Sequence, residues 1–279
     1  MKPLDSVGIG LVFSSGFFGF FAHAGVLSAV REFGLDIRGY AGASSGAILA
    51  AMAACGMRDD EIKDILFSLR RSDFWDPDPP AVILRYLLKG LRGYTGYLRG
   101  KGFARLLAAL PGKNIEDCPK PLVIAATDLS GRGEAVLTRG DLVRAVHASG
   151  AVPGLFKPVR AGASWCVDGG MVDKAPVRAL AERIRPEKIL VHFMESGNLS
   201  RRSDAFLQRR FSPWHVHQLS VNIARRLSYE HQRDLVRAWG VHVEELRTAP
   251  PPVGPNHLEK GPAAYEHARQ ATLEFLSHR

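Results

Sequence analysis

The sequence predicts an α/β fold built on a parallel sheet. Two early stretches, 6–30 and 39–57, carry no Asp, Glu, Lys or Arg, and each divides into a short apolar run, a glycine-bearing turn and a helix-like segment. Strand, helix, strand and helix in that order form a βαβ unit, which requires a parallel sheet. Further runs such as 121–128 (PLVIAATD) are apolar without alternation, as strands covered on both faces are. The composition agrees. With 279 residues, 46% hydrophobic and 23% charged, the chain is neither disordered nor collagen-like, and its 3 cysteines cannot make a disulfide scaffold.

The elements follow in order. Residues 7–14 (VGIGLVFS) read as the first strand and 20–33 as a buried helix, apolar nearly all round, that Gly34 ends. A second strand spans 38–43, and the alanine-rich segment 45–55 is a second buried helix. Either charge-free stretch is long enough to cross a bilayer, and a membrane hairpin is the competing reading. The serines and glycines at their centres (Ser14, Ser15, Gly16, then Gly42, Ser44, Ser45 and Gly46) favour strand and turn instead. A helix opens at 59–63, and 73–80 reads as a proline-punctuated loop. After the strand at 121–128 come a polar turn, a strand at 134–138, and a helix to Ala148 capped by Asp141. Strands at 165–167, 188–193 and 241–246 and helices at 217–239 and 263–276 complete the pattern.

The net charge of +9 points to anionic partners. Between 81 and 114 stand Arg85, Lys89, Arg92, Arg99, Lys101, Arg105 and Lys113 with no acid, interleaved with leucines and tyrosines. Such a stretch suits an anionic membrane surface, or simply an insertion packed over the sheet with its cations in water. A second basic concentration runs from 201 to 237, but no nucleic-acid-binding module is visible and no nucleic acid is expected. Asp5 follows Lys2 closely and no small-residue cleavage pattern follows, so no secretory signal is read. With its unpaired cysteine spacing, this places the expected location in the cytoplasm.

Gly42-Ala43-Ser44-Ser45-Gly46 fits G-x-S-x-G where a strand should end and a helix begin. A nucleophile on so sharp a turn needs small neighbours, because the backbone crosses itself there. The helix N-terminus then offers free N–H groups, Ser45 first, to an oxyanion. Ser44 needs a base. One candidate is a late histidine, His242, His257 or His267, giving a Ser-His-Asp triad in α/β-hydrolase order, although only one strand precedes the elbow strand. The other is Asp168, which ends an apolar strand before Gly169 and Gly170.

These residues resemble the patatin-like phospholipase family. The likeness lies in four blocks: 11–27 (LVFSSGFFGFFAHAGVL), 42–46, 125–158, and Asp168-Gly169-Gly170. A weaker likeness at 255–271 is similar to the family's closing helix. The resemblance implies a three-layer α/β/α fold with a mostly parallel central sheet, in one domain over 1–279. Residues 58–114 then form a helical basic insertion and candidate lid. It implies hydrolysis of acyl esters of lipids by a Ser-Asp dyad through an acyl-enzyme, without metal or cofactor. Carried onto this chain, Ser44 is the nucleophile and Asp168 the base. Gly42, Gly46 and Gly169 are the motif glycines, and the N–H groups of Ser15, Gly16 and Phe17 receive the oxyanion. The partner implied is an acyl-ester lipid; the expected peripheral contact with an anionic membrane surface comes from the basic stretch instead.

One segment departs from the pattern. Where the family shows G-G-G-x-R/K-G, this chain has Ser15-Gly16-Phe17-Phe18-Gly19-Phe20, with no basic residue. The backbone donors survive only if the φ values there are open to phenylalanine, and a catalytically silent lipid-binding protein is the alternative this departure motivates. Phe17, Phe18, Phe20 and Phe21 are candidates to line an acyl-binding mouth.

Overall fold

The structure is a computed structural model and describes residues 8–195 and 213–278. Lys2, Asp5 and the 201–212 part of the second basic concentration lie outside the described residues.

The first apolar run forms β1 (Ile9–Phe13), followed by α1 (Phe20–Glu32). Then come β2 (Ile37–Ala43) and α2 (Ser45–Ala54). Gly34 closes α1 in the left-handed conformation, with φ of 75°, which glycine takes without strain. Further on are β4 (Leu122–Asp128), β5 (Gly133–Leu137) and α7 (Leu142–Ser149). Asp141 caps α7 by accepting the Arg144 N–H at 2.8 Å. Beyond these stand β8 (Ser164–Asp168), β9 (Lys188–His192), α9 (Pro213–Ala238), β10 (His242–Leu246) and α10 (Gly261–Ser277).

The main sheet has eight strands in the order β10-β9-β1-β2-β4-β8-β7, where β7 is Val159–Ala161 and β5 pairs with β4 off this path. The run from β10 to β4 is parallel, while β5, β7 and β8 pair antiparallel. Side chains alternate across it as period-two geometry demands. Leu11, Phe13, Tyr40 and Ile124 join α1, α2 and α10 in one core. Val12, Ala41, Val123 and Val191 join α8 (Val177–Ile184) and α9 in another. A sheet with helices on both faces is the three-layer α/β/α arrangement, and it explains why β1 carries no charge and β2 only Arg38, exposed near its start. Among the described residues no helix is long and apolar enough to cross a membrane; α1 has 13 residues and α2 has 10.

Some expectations are corrected. The stretch 73–80 is not all loop: α4 (Arg71–Phe74) enters it and Pro80 opens α5 (Pro80–Leu87), with proline at the first helical turn where its missing N–H costs nothing. Helix α8 went unread, although Val177, Leu180, Ala181 and Ile184 have helical spacing. Residues 58–114 are not wholly helical. Besides α3 (Asp59–Phe67), α4, α5 and α6 (Lys101–Leu107) they contain β3 (Gly96–Leu98), which pairs with β6 (Gly154–Phe156) in a separate two-stranded sheet. Strands this short leave no periodicity to read.

Candidate active site

Ser44 stands between β2 and α2 with φ 55° and ψ −122°, backbone values that L-residues rarely adopt. A Cβ on Gly42 would lie 2.3 Å from the Gly46 carbonyl, and one on Gly46 would lie 2.1 Å from the Phe13 oxygen. Both positions therefore demand glycine if strand and helix are to cross so closely. Two hydrogen bonds brace the elbow. The Ser44 N–H donates to Ser149 Oγ at 2.9 Å, and the Ser149 hydroxyl donates to the Ala125 carbonyl at 2.6 Å.

Asp168 ends β8 beside the elbow, and Ser44 Oγ donates to its Oδ2 at 2.6 Å. Its other oxygen accepts the Gly170 N–H at 2.8 Å. A Cβ on Gly169 would sit 1.9 Å from the Ala125 oxygen, so β4 and the turn after Asp168 meet backbone to backbone. Burial pushes the carboxyl above its ordinary range, while the Ser44 hydroxyl, the Arg225 charge and the Gly170 N–H pull it back. On β8, Val167 is buried and Trp165 is 53% exposed.

The three late histidines do not reach this pair. His242 opens β10 at the end of the parallel sheet opposite Ser44. His257 contacts Glu259, and the His267 ring contacts the Ala249 carbonyl. Among the described residues no group of His, Cys, Asp or Glu is arranged to hold a metal ion.

The turn from Ser15 to Gly19 lies against the elbow. The Ser15 N–H already donates to the Lys174 carbonyl at 2.7 Å, so in this arrangement it is not free for an oxyanion. The Gly16 N–H donates to Ser45 Oγ at 3.1 Å. Phe17 does not need a positive φ; Phe18 does, at 53°. The first departure from the glycine pattern is thus sterically neutral and the strain falls one residue later. His23 fastens the segment from α1. Its Nε2 contacts the Ser14 carbonyl at 2.9 Å, and since a carbonyl only accepts, that nitrogen carries the proton. His23 Nδ1 then accepts from His192 Nδ1 at 2.7 Å. Burial holds His23 neutral, with its pKa pulled down to about 3.

Arg225, on α9, is a site residue that sequence reasoning missed. It donates to Ser15 Oγ at 2.6 Å and to Asn222 Oδ1 at 3.2 Å. It thereby brings to the turn a cation that the turn's own sequence lacks. Helical periodicity gives no sign of this, because its partner is 210 positions away in the chain.

Two cavities meet at Ser44. One is apolar, lined by Phe17, Phe18, Phe20, Ile48, Met52, Phe103 and others, among them Ile65, Phe74, Leu98 and Leu106 from residues 58–114. The other, about 1050 Å³, is lined by Asp168, Asn222, Arg225 and Arg247. Of the four phenylalanines, Phe21 lies in the core and does not line the mouth.

Fold and site together describe an α/β/α protein with a serine on a strand-to-helix elbow and a carboxylate in direct contact with it. A family model described as "Patatin-like phospholipase" matches residues 11–181, and the chain belongs to that family. It is similar to an uncharacterized NTE family protein of Mycobacterium bovis, 33% identical over 182 residues, 65% of this chain and 48% of that protein. It is also similar to the Lysophospholipase NTE1 of Cryptococcus neoformans, 26% identical over 236 residues, 79% of this chain and 14% of that protein. The chain thus spans about half the length, or less, of these relatives. Among solved structures, full-length ExoU of Pseudomonas aeruginosa in complex with SpcU resembles it in fold, with a TM-score of 0.50 at 16% identity, covering 98% of this chain and 53% of that one.

Proposed function

We propose that this protein hydrolyses the carboxylic ester of a lipid, in the manner of a phospholipase A or lysophospholipase, through a Ser44–Asp168 dyad and an acyl-enzyme. The observation that carries the reading is the 2.6 Å contact between Ser44 Oγ and Asp168 Oδ2 where an apolar and a polar cavity meet. An amphiphile with its ester at that junction lays its acyl chain among the phenylalanines and its polar end toward Arg225 and Arg247. The family and the lysophospholipase name of one relative support the same substrate class.

In the first step Ser44 Oγ attacks the ester carbonyl carbon and its proton passes to Asp168. The oxyanion is held by the N–H groups of Gly16, Phe17 and Ser45, Gly16 exchanging Ser45 Oγ for it. Collapse expels the alcohol, which leaves with the proton from Asp168. Water then attacks the acyl-serine while Asp168 takes its proton. The second collapse releases the fatty acid and returns the proton to Ser44. Within this reading, the insertion 58–114 acts as a lid through its lining residues, which fall in 65–75 and 98–107 and leave 84–92 outside the cavity. The three unlinked thiols suit a cytoplasmic location, with lipid met peripherally at a membrane face.

The test pairs a fluorophosphonate probe with turnover of p-nitrophenyl esters. Ser44 should be labelled, and Ser44→Ala and Asp168→Asn should each lose on the order of 10³ in kcat, not additively. Wild-type-like turnover by either variant would exclude the dyad. An unlabelled Ser44 in folded protein would favour a silent lipid binder.

A further inference from the structure

Helix α5 is unusual among the helices of this protein because it contains no buried residue, yet most of it is apolar. It runs into a turn in which Gly90 and Leu91 both take positive φ, 61° and 62°. The side chains Leu84, Leu87, Leu88 and Leu91 project from this tip, and Leu88 is 81% exposed. Four leucines facing water within eight positions form the kind of contiguous apolar patch that soluble surfaces rarely carry without a partner. Arg85, Lys89 and Arg92 interleave with them, all exposed, and no acid occurs between Pro79 and Asn114. The tip is also joined to the apolar cavity. The chain leaves it directly into β3, which pairs with β6, and Leu98, Leu155 and Phe156 of those strands are cavity-lining residues.

We propose that residues 84–92 are the surface by which this protein sits on an anionic lipid bilayer. The leucines enter the boundary between headgroups and acyl chains, and Arg85, Lys89 and Arg92 lie against lipid phosphates. Exposed leucine beside unopposed cations is the composition that such an interface selects. The charge also decides against a second copy of this chain, because a symmetric pairing would bring two sets of like charges together at the centre of an apolar contact. The inference rests on the reading of the substrate as a lipid and adds to it the place where lipid is met. A bilayer held at the tip lies beside the wall of the cavity that ends at Ser44.

The experiment is sedimentation of the full chain with vesicles of phosphatidylcholine alone or mixed with phosphatidylglycerol, at low and high salt. Three surface cations should favour the anionic vesicles by on the order of 10²-fold at low salt, and salt should erase most of that preference. Leu84→Ser/Leu87→Ser/Leu88→Ser should lose binding to both vesicle types. Arg85→Gln/Lys89→Gln/Arg92→Gln should lose only the preference for the anionic one. None of these residues lines either cavity, so both variants should turn over a soluble short-chain p-nitrophenyl ester at the wild-type rate. Wild-type vesicle binding by the leucine variant would overturn the proposal. So would a wild-type dimer in light scattering that this variant converts to monomer. Vesicle binding by a protein that hydrolyses no ester would leave the surface standing and remove the hydrolase reading; soluble-ester turnover without vesicle binding would do the reverse.

Discussion

The backbone of Ser44 yields a test of the elbow that needs no substrate. With φ 55° and ψ −122°, it occupies a region that is essentially glycine's own, where any Cβ costs on the order of 1–3 kcal/mol. Ser44→Ala and Ser44→Gly both remove the hydroxyl and its bond to Asp168, so the difference between them isolates the backbone. Glycine relieves the strain, taken as about 2 kcal/mol, but its freer unfolded chain returns about 0.5–1 kcal/mol. Ser44→Gly should therefore be the more stable variant by about 1 kcal/mol. That is on the order of 2–4 °C in melting temperature for a chain of this size. Urea unfolding of the two variants side by side, followed by fluorescence, measures the difference directly. At a position with ordinary α-helical backbone angles the order would reverse, with alanine ahead. Equal midpoints, or an Ala variant ahead of Gly, would mean that the serine is not held on a strained turn, and the exposure of its hydroxyl would need another cause.

Four further outcomes follow from the site. Asp168 must be ionised to accept a proton, and its pKa lies above the ordinary carboxylate range, so kcat/KM should fall on acidification with a midpoint above that range. Arg225→Met removes a charge that pulls this pKa down and should move the midpoint higher still; an unmoved acidic limb would separate Arg225 from the base. Because the folded pKa of Asp168 is raised, the native state loses stability as pH rises from the unfolded carboxylate value through the raised one. Asp168→Asn lacks that loss, so its unfolding free energy should gain on wild type between acidic and neutral pH, as paired denaturation curves would show. Ser149→Ala leaves the Ser44 N–H and the Ala125 carbonyl without their shared partner. It should cost about 1–3 kcal/mol in urea unfolding and lower kcat, whereas Ser149→Thr, which keeps a hydroxyl, should recover part of both.

What the sequence could disclose of this fold was set by the range of each interaction. The β1-to-α2 unit was readable because its signals are local: charge-free runs where strands are covered on both faces, a glycine past the end of α1, and small residues around Ser44 where strand and helix cross. The spacing of glycines about Ser44 and after Asp168 even reports where backbones approach so closely that an added Cβ would stand 1.9 to 2.3 Å from a neighbouring backbone atom. Interactions that join distant segments left no such trace. Arg225 reaches Ser15 across 210 positions, and Ser149 reaches Ser44 across 105. Cys55 and Cys118, far apart in sequence, bring their sulfurs within 3.1 Å. In sequence His23 is a lone polar residue within an apolar helix, yet its place depends on His192, 169 positions on. The missing basic residue of the glycine segment shows the consequence most plainly. Read locally, the turn has lost a charge; in the folded chain α9 returns one to the same few ångströms. A cation can reach such a turn from elsewhere in the chain, so the bare turn sequence is weak ground for judging the site inactive.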